Sequence, residues 1–284
     1  HPDIYIVRRG NFLYRDRRFT NMIRTGPAGY PEGSRSPADA VRKVRAAGLS
    51  ALEIQFVRNV LYNPVRAQEA RSEAQEGGVL LSVHAPYYIN LNSPSPETRA
   101  KSEDWVLRAL RGAEAFGAWI VVVHAATYGE DAQRCTGKVV ESLARVREAA
   151  DSESLRAAIG LETMGRKAAW GTVPEILEVM REVQGVLPVV DFAHLQARGP
   201  PLNPEGLRAL LDSLSQVPRL HCHLSGIEFT AAGERKHLRL GEGLDHLMVL
   251  DALRESGIDG TVICESTSPM EDAQVMLRHL SQTI

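Results

Sequence analysis

Cysteine is scarce in this chain of 284 residues, which contains Cys135, Cys222 and Cys264 and no CxxC pair. This scarcity excludes a disulfide-rich scaffold and a cysteine-based zinc site, and we expect reduced thiols. No apolar run approaches the roughly 18 residues that a membrane span requires, and no segment resembles a signal peptide. The sequence therefore predicts a cytoplasmic protein without a membrane partner.

A strong charge of either sign is also missing. The 33 Lys and Arg residues nearly balance the 35 Asp and Glu residues, for a formal net charge of -2. This balance excludes the global basic field of many nucleic-acid-binding domains, although it permits a local basic patch. The 44% of hydrophobic residues is enough for a sizeable core in one large or two small domains.

Residues 1–21 do not begin with methionine and differ in character from the rest of the chain. Five arginines in this stretch indicate a solvated arm, or alternatively a contact with nucleic acid. We interpret residues 1–21 as an N-terminal extension or a remnant of cloning, and residues 22–284 as a single catalytic domain.

After Met22, short apolar or β-branched runs alternate with amphipathic segments. The runs lie at 23–29, 51–57, 79–86, 118–126, 157–165, 187–194, 219–226 and 261–267. Eight strand-then-helix units in about 250 residues predict an α/β fold of the (β/α)8 TIM-barrel type. A doubly wound open sheet is the competing architecture. The barrel is favoured because polar residues recur where the strands end, and only a barrel brings those ends to one point.

Side chains that commonly bind metals stand at the carboxyl ends of the predicted strands. They are Glu53, His84, His124, Glu162, Asp191, His194, His223 and Glu265. Zinc and manganese use histidine nitrogens and carboxylate oxygens as ligands, and a carboxylate can bridge two ions. The whole set indicates a metal site at the barrel mouth. Glu53 is equally compatible with a structural role inside the barrel, and His221 with a deeper packing role.

Several of these blocks carry a resemblance to a known family. The blocks are VHAPYYINL, VVVHAA, GLETMG, VVDFAH, HCHLSG, HLRLGEG and VICEST. From about residue 23 to the end, the chain resembles the endonuclease IV family of apurinic/apyrimidinic endonucleases, within the xylose-isomerase-like TIM-barrel superfamily. The resemblance implies a DNA-repair enzyme that hydrolyses double-stranded DNA 5′ to an abasic site. It also implies two or three Zn²⁺ ions as cofactors, with Mn²⁺ as an alternative, and we expect a monomer.

The resemblance also assigns metal ligands to three groups. They are His84 and His124 with Glu162 as a bridge, then Asp191, His223 and Glu265, and lastly His194 and His237 for a third ion. Glu162 and Glu265 are the catalytic candidates. The family has an aspartate two residues before the last histidine, where this chain has Arg235, preceded by Glu234. Either Glu234 substitutes through a shifted loop, or the third site is weak or absent.

DNA-binding candidates follow from the same resemblance. Tyr87 and Tyr88 match positions that enter DNA where the base is missing, and Arg58 stands in the loop after the second strand. Arg235 could supply a cation to the departing oxygen, or it could indicate a different substrate.

The main alternative is a sugar isomerase or epimerase with one metal ion. Glu162, Asp191, His223 and Glu265 fit that ligand set equally well, with the two glutamates as acid and base. His84 and His124 favour the endonuclease, because one ion does not need them. A catalytically silent metal-binding or nucleic-acid-binding protein is the third class.

Overall fold

The computed structural model describes residues 23–129 and 132–282. The prediction for residues 1–21 lies outside these ranges. The strands are β1 Ile23–Pro27, β2 Ala51–Gln55, β3 Leu80–His84, β4 Ile120–Val123, β5 Ala126–Thr127, β6 Ala158–Glu162, β7 Ala169–Trp170, β8 Val186–Asp191, β9 Leu220–Leu224, β10 Gly226–Thr230, β11 Gly233–Leu238 and β12 Gly260–Cys264. The helices are α1 Pro37–Ala46, α2 Pro64–Gly77, α3 Pro96–Phe116, α4 Cys135–Ser152, α5 Val173–Glu182, α6 Phe192–Arg198, α7 Pro204–Ser213, α8 His246–Ser256 and α9 Pro269–Leu280.

Eight of these strands form one parallel sheet in the order β1-β12-β9-β8-β6-β4-β3-β2. The two edge strands then approach each other, because Ser50 N donates to Thr25 O at 3.1 Å and Gly29 N donates to Glu53 O at 2.9 Å. A side chain at Gly26 would collide with the Ala51 carbonyl, so glycine permits this approach. The sheet is therefore a nearly closed TIM barrel, as the sequence predicts, and not an open sheet.

Local signals in the sequence set the helix boundaries. Helices α1, α2, α3 and α7 begin with proline after a serine or asparagine whose side chain accepts a backbone N–H. Helices α2, α3 and α8 end at a glycine in the left-handed conformation. Serine, asparagine and proline thus set where four helices begin, and glycine sets where three helices end.

The barrel interior changes character along its axis. Ile120, Val122 and Val189 form a small buried apolar cluster. Because side chains alternate along a strand, His124 lies two residues beyond Val122 on the same inward face, and Asp191 lies two beyond Val189. The apolar cluster is therefore the floor under the polar groups at the mouth.

The predicted cysteine environment is confirmed, since Cys135, Cys222 and Cys264 are buried free thiols. Among the described residues, no helix combines the length and apolar character that crossing a bilayer would require.

Candidate metal centre

The Glu162 carboxylate lies at the middle of the mouth and is fully buried. Its Oε2 atom lies 2.7 Å from Nε2 of His124 and 3.3 Å from Nε2 of His84. Its Oε1 atom lies 3.2 Å from Nδ1 of His223. Each carboxylate oxygen thus faces different imidazoles, which is the arrangement of a carboxylate that can bridge two ions.

Three groups of donor atoms around this carboxylate are compact enough to hold metal ions. Within each group the donor atoms lie within 4.8 Å of one another. The groups are His84, His124 and Glu162; Glu162, Asp191, His223 and Glu265; and Asp191, His194 and His237. The structure therefore brings together all eight metal-ligand candidates carried over from the family.

One oxygen of Asp191 has no hydrogen-bonding partner. Its Oδ1 atom accepts the backbone N–H of His194 at 2.8 Å. Its Oδ2 atom is buried and accepts no hydrogen bond from any residue that the structure describes. A buried carboxylate oxygen without a donor is unfavourable, and a cation would satisfy it.

Two histidine rings point an acceptor nitrogen at a carboxylate. Nδ1 of His84 lies 2.8 Å from Ala85 O, and Nδ1 of His194 lies 2.8 Å from Thr163 O. A carbonyl oxygen only accepts, so Nδ1 carries the proton and Nε2 of the neutral ring has a lone pair. In His194, Nε2 lies 3.2 Å from Glu234 Oε2. Two acceptors this close require a proton or a metal ion between them, so the donor set fits metal binding.

The electrostatics of the mouth favour cations. Burial by itself lowers the pKa of His194 and His223, but Asp191 beside the first ring and Glu265 beside the second raise both values well above normal. Burial by itself raises the pKa of Glu162, but His124 and His223 outweigh it and hold this pKa well below normal. The site therefore carries excess negative charge that attracts protons or metal ions.

The hairpin of β10 and β11 supplies one side of the mouth and contains a β-bulge. Glu228 pairs with Lys236 but Phe229 pairs with Glu234, so Arg235 is the extra residue. The bulge turns Arg235 and Lys236 to the outer face, where both form ion pairs with Glu228.

The same bulge turns Glu234 inward. Its Oε2 atom lies 3.2 Å from Nε2 of His194, and its Oε1 atom lies 3.7 Å from Nε2 of His237. Nδ1 of His237 meets Ser225 Oγ at 2.7 Å, which orients the ring toward Glu234. Glu234 thus presents its carboxylate to both rings, which is the position that the shifted-loop alternative expects.

The predicted DNA-binding residues lie at the rim. The ring centroid of Tyr87 lies 5.0 Å from that of His84 and 5.4 Å from that of His124. Burial and then Glu265 raise the pKa of Tyr87, so its hydroxyl stays protonated. Tyr88 and Arg58 are exposed. Arg235 is exposed on the outer face of the hairpin and does not face the imidazoles.

A cavity of about 680 Å³ opens above the cluster. Its lining includes residues that sequence reasoning missed, namely Gln55, Met164 and Arg166. Arg166 lies in the loop after β6, and Arg198 fixes this loop by donating to the carbonyls of Met164, Arg166 and Ala169. No sequence signal marks these residues, because loop geometry brings them to the cavity.

Comparison with known proteins places the chain in a family of TIM barrels, in agreement with the observed fold. Residues 41–283 match the family model described as a xylose isomerase-like TIM barrel. The chain belongs to this family. The family prediction made from the sequence blocks is thus confirmed, while the reaction is a separate question.

Two relatives illustrate the range of sequence similarity. An uncharacterized protein of Methanocaldococcus jannaschii is 29% identical over 90% of this chain and 96% of its own length. A protein of Mycobacterium ulcerans named "Probable endonuclease 4" is 25% identical over 81% of this chain and 90% of its own length.

Solved structures with this fold include enzymes of two kinds. Endonuclease IV from Thermus thermophilus superposes with a TM-score of 0.73 at 22% identity, covering 92% of this chain and 100% of that one. A D-tagatose 3-epimerase-like protein superposes with a TM-score of 0.70 at 21% identity, covering 89% of this chain and 95% of that one. These similarities establish the shared barrel fold. They do not distinguish between the two reactions, which must be argued from the residues of the site.

Proposed function

We propose that this protein is a metal-dependent phosphodiesterase that cuts double-stranded DNA 5′ to an abasic site. The observation that carries the proposal is the bridging geometry of Glu162, whose Oε2 faces His84 and His124 while its Oε1 faces His223. A single-metal enzyme has no use for the His84 and His124 side. The similarity to a protein named as a probable endonuclease 4 supports the same choice.

Zinc or manganese ions held there would activate water and neutralise phosphate oxygens, as two-metal sites do. Glu162, at the centre, fixes the spacing of the two ligand groups. Glu265 is partly exposed to the cavity and lies 3.4 Å from Nδ1 of His223. We assign Glu265 the task of orienting the attacking water and accepting its proton.

A third ion would be held by the group of Asp191, His194 and His237, with Glu234 as a further carboxylate beside both rings. Glu234 takes the place of the aspartate expected from the family pattern, since the bulge brings its carboxylate within 3.7 Å of both rings. Arg235 does not carry the transition-state charge in this proposal, because it pairs with Glu228 on the outer face.

The DNA contacts would come from the rim. Tyr88 is the more exposed of the two tyrosines, 62% against 46% for Tyr87, and is better placed to enter a gap in the base stack. Stacking on an aromatic side chain contributes about 1–3 kcal/mol per base. Arg58 and Arg166 are exposed cations that would contact phosphates.

The test is incision of a duplex oligonucleotide that carries one stable abasic analogue. Metal-free protein reloaded with Zn²⁺ or Mn²⁺ should cut on the 5′ side of the lesion and leave a 3′-hydroxyl, and a chelator should abolish cutting. His124→Asn should lose both metal and cutting. His279→Asn is the matched control, because His279 pairs with Asp251 on the helical shell. Intact DNA under every metal condition, or cutting by metal-free His124→Asn, would contradict the proposal.

A sugar epimerase with one metal ion is the second candidate. It is favoured by the compact group of Glu162, Asp191, His223 and Glu265, which suffices for one ion, and by a cavity large enough for a monosaccharide. In that reaction the two glutamates would remove and return a proton at one carbon. One bound ion per chain, with epimerisation of a ketohexose and no DNA incision, would select this candidate.

A further inference from the structure

A polar layer lies directly beneath the proposed metal ligands. Glu53 on β2 is fully buried and accepts hydrogen bonds from Ser82 Oγ at 3.0 Å and from Gln55 Nε2 at 2.9 Å. Its Oε2 atom also meets Nε2 of His221 at 2.9 Å. TIM-barrel interiors are usually filled by branched apolar side chains, so a buried carboxylate here requires a reason.

Glu53 also contacts a proposed metal ligand from across the barrel. Nε2 of His223, on β9, lies 3.2 Å from both oxygens of Glu53. Strand β9 pairs with β8 and β12 but not with β2, so this contact crosses the interior. It joins two strands that are separated by β1 and β12, immediately under the mouth.

The contact determines which nitrogen of His223 keeps its proton when the ring is neutral and binds metal. A carboxylate only accepts hydrogen bonds, so Nε2 must donate to Glu53. Nδ1 lies 3.2 Å from Glu162 Oε1 and 3.4 Å from Glu265 Oε2, so these acceptors require either a second proton on the ring or a metal ion between them and Nδ1. In the neutral ring that binds metal, Nδ1 is the acceptor. The lone pair of Nδ1 therefore points to where the second ion would lie.

We infer that Glu53 is a positioning residue that holds His223 in the tautomer and orientation required for metal binding through Nδ1. The inference rests on the metal centre of the proposed function but does not depend on the substrate. It decides between the two roles that the sequence leaves open for Glu53, because the carboxylate acts through the ring and does not reach the cavity.

Direct metal binding by Glu53 is the competing role. Glu53, His221 and His223 have donor atoms within 4.8 Å of one another. However, both oxygens of Glu53 already accept hydrogen bonds from Ser82 and Gln55, and Nδ1 of His221 bonds to Thr261 Oγ1. These bonds satisfy the group without an ion.

The test compares Glu53→Gln with Ser82→Ala, which removes one donor to Glu53 and leaves the ring contact intact. Metal-free proteins are titrated with Zn²⁺ against a competing chelator, and bound zinc is counted at saturation. Partners of metal ligands typically account for a 10- to 100-fold change in affinity. Glu53→Gln should therefore bind one ion roughly 10- to 100-fold more weakly at unchanged stoichiometry, while Ser82→Ala should bind like the wild type.

Nitrogen NMR of the labelled histidine rings gives a second readout, in the metal-free proteins at a pH high enough for the rings to be neutral. His223 should be protonated at Nε2 in the wild type and in Ser82→Ala. In Glu53→Gln, the amide N–H₂ can donate to Nε2, so Nδ1-protonated ring should appear. This readout separates a tautomer effect from a loss of folding.

Unchanged affinity and tautomer in Glu53→Gln would overturn the inference, and so would the outright loss of one ion at saturation, which would make Glu53 a ligand. A wild-type protein that binds no metal would instead refute the proposed metal centre. Bound metal without DNA incision would refute the proposed substrate and leave the role of Glu53 intact.

Discussion

The two halves of the candidate centre are built differently. His84, Glu162 and Asp191 end barrel strands that have a hydrogen-bonded neighbour on each side. Hydrogen bonds along both edges therefore fix the register of these strands. Glu234 and His237 lie on β11, which pairs with the single strand β10 and has one further bridge, from Gly233 to Arg166 in the loop after β6. One extra residue in that hairpin decides which side chains face the ions. The barrel strands therefore provide a rigid half, and the hairpin provides a half whose ligands can change by insertion or deletion.

The two halves also differ in burial and support. The side chain of Glu162 is fully buried, whereas those of Glu234 and His237 are 16% and 22% exposed. The hairpin rests on the loop after β6 through a backbone bond from Lys167 N to Ala232 O. A side chain at Gly165 would collide with Glu234 and His194, so this loop must be small there. Substitutions in the rigid half should consequently change metal binding more than substitutions in the hairpin.

The largest effect is expected for Glu162→Gln. This substitution keeps the volume but removes the charge that faces His84, His124 and His223. Residues that only hydrogen-bond to metal ligands already account for a 10- to 100-fold change in affinity. Because Glu162 is itself a proposed ligand, its substitution should lower metal affinity by more than roughly 100-fold. Turnover should fall with it. Metal analysis after dialysis and the incision rate measure both.

Glu69→Gln on the exposed face of α2 is the control for Glu162→Gln and should behave like the wild type. If Glu162→Gln kept its full complement of ions, the bridging role of Glu162 would be wrong.

An intermediate effect is expected in the hairpin, where Glu234→Gln should lose the third ion and leave the others. Deletion of Arg235 should keep that ion. The deletion removes the extra residue of the bulge and restores the spacing of two residues between carboxylate and histidine, with Glu234 still facing inward. Metal stoichiometry at saturation is the measurement.

The deletion provides the sharper comparison, because it changes the chain length without removing a proposed ligand. Loss of the third ion in the Arg235 deletion, together with its retention in Glu234→Gln, would reverse the assignment and make Arg235 or its loop essential.

The same contrast explains how much the sequence could predict. All eight strand segments overlap a barrel strand, because apolar runs and helix caps such as Ser36-Pro37 are local signals. Ligands at strand ends follow from the barrel itself. The sequence does not determine the orientation of Glu234, because no residue type marks the bulge at Arg235. The contact of Glu53 with His223 joins strands that are not neighbours in the barrel, and such a pair has no signature in sequence spacing.

The smallest effect is expected where the hairpin meets the helical shell. Asp272 on α9 binds Arg239 Nη2 at 2.7 Å, the backbone N–H of Leu240 at 3.2 Å and Ser266 Oγ at 2.6 Å. It thereby fixes the segment after β11. At pH 7, Asp272→Asn should lower the free energy of unfolding by about 1–3 kcal/mol, because buried donors lose a charged acceptor. Denaturant unfolding monitored by circular dichroism measures this.

The pH dependence of that loss distinguishes a charged anchor from simple packing. Burial by itself raises the pKa of Asp272, but the hydrogen bonds from Arg239 and Ser266 outweigh it and lower this pKa. A lowered pKa stabilises the fold above the unfolded value of about 3.9, and this contribution is lost as pH falls through the folded value. The difference in unfolding free energy between wild type and Asp272→Asn should thus be constant from pH 7 to about pH 5 and shrink below about pH 4.

Asp251→Asn is the control, because it alters a more exposed ion pair with Arg254, and it should change stability by less than about 1 kcal/mol. A difference between wild type and Asp272→Asn that stayed constant below about pH 4 would mean that Asp272 stabilises this segment through its shape, and that the hairpin half depends on charge only at its metal ligands.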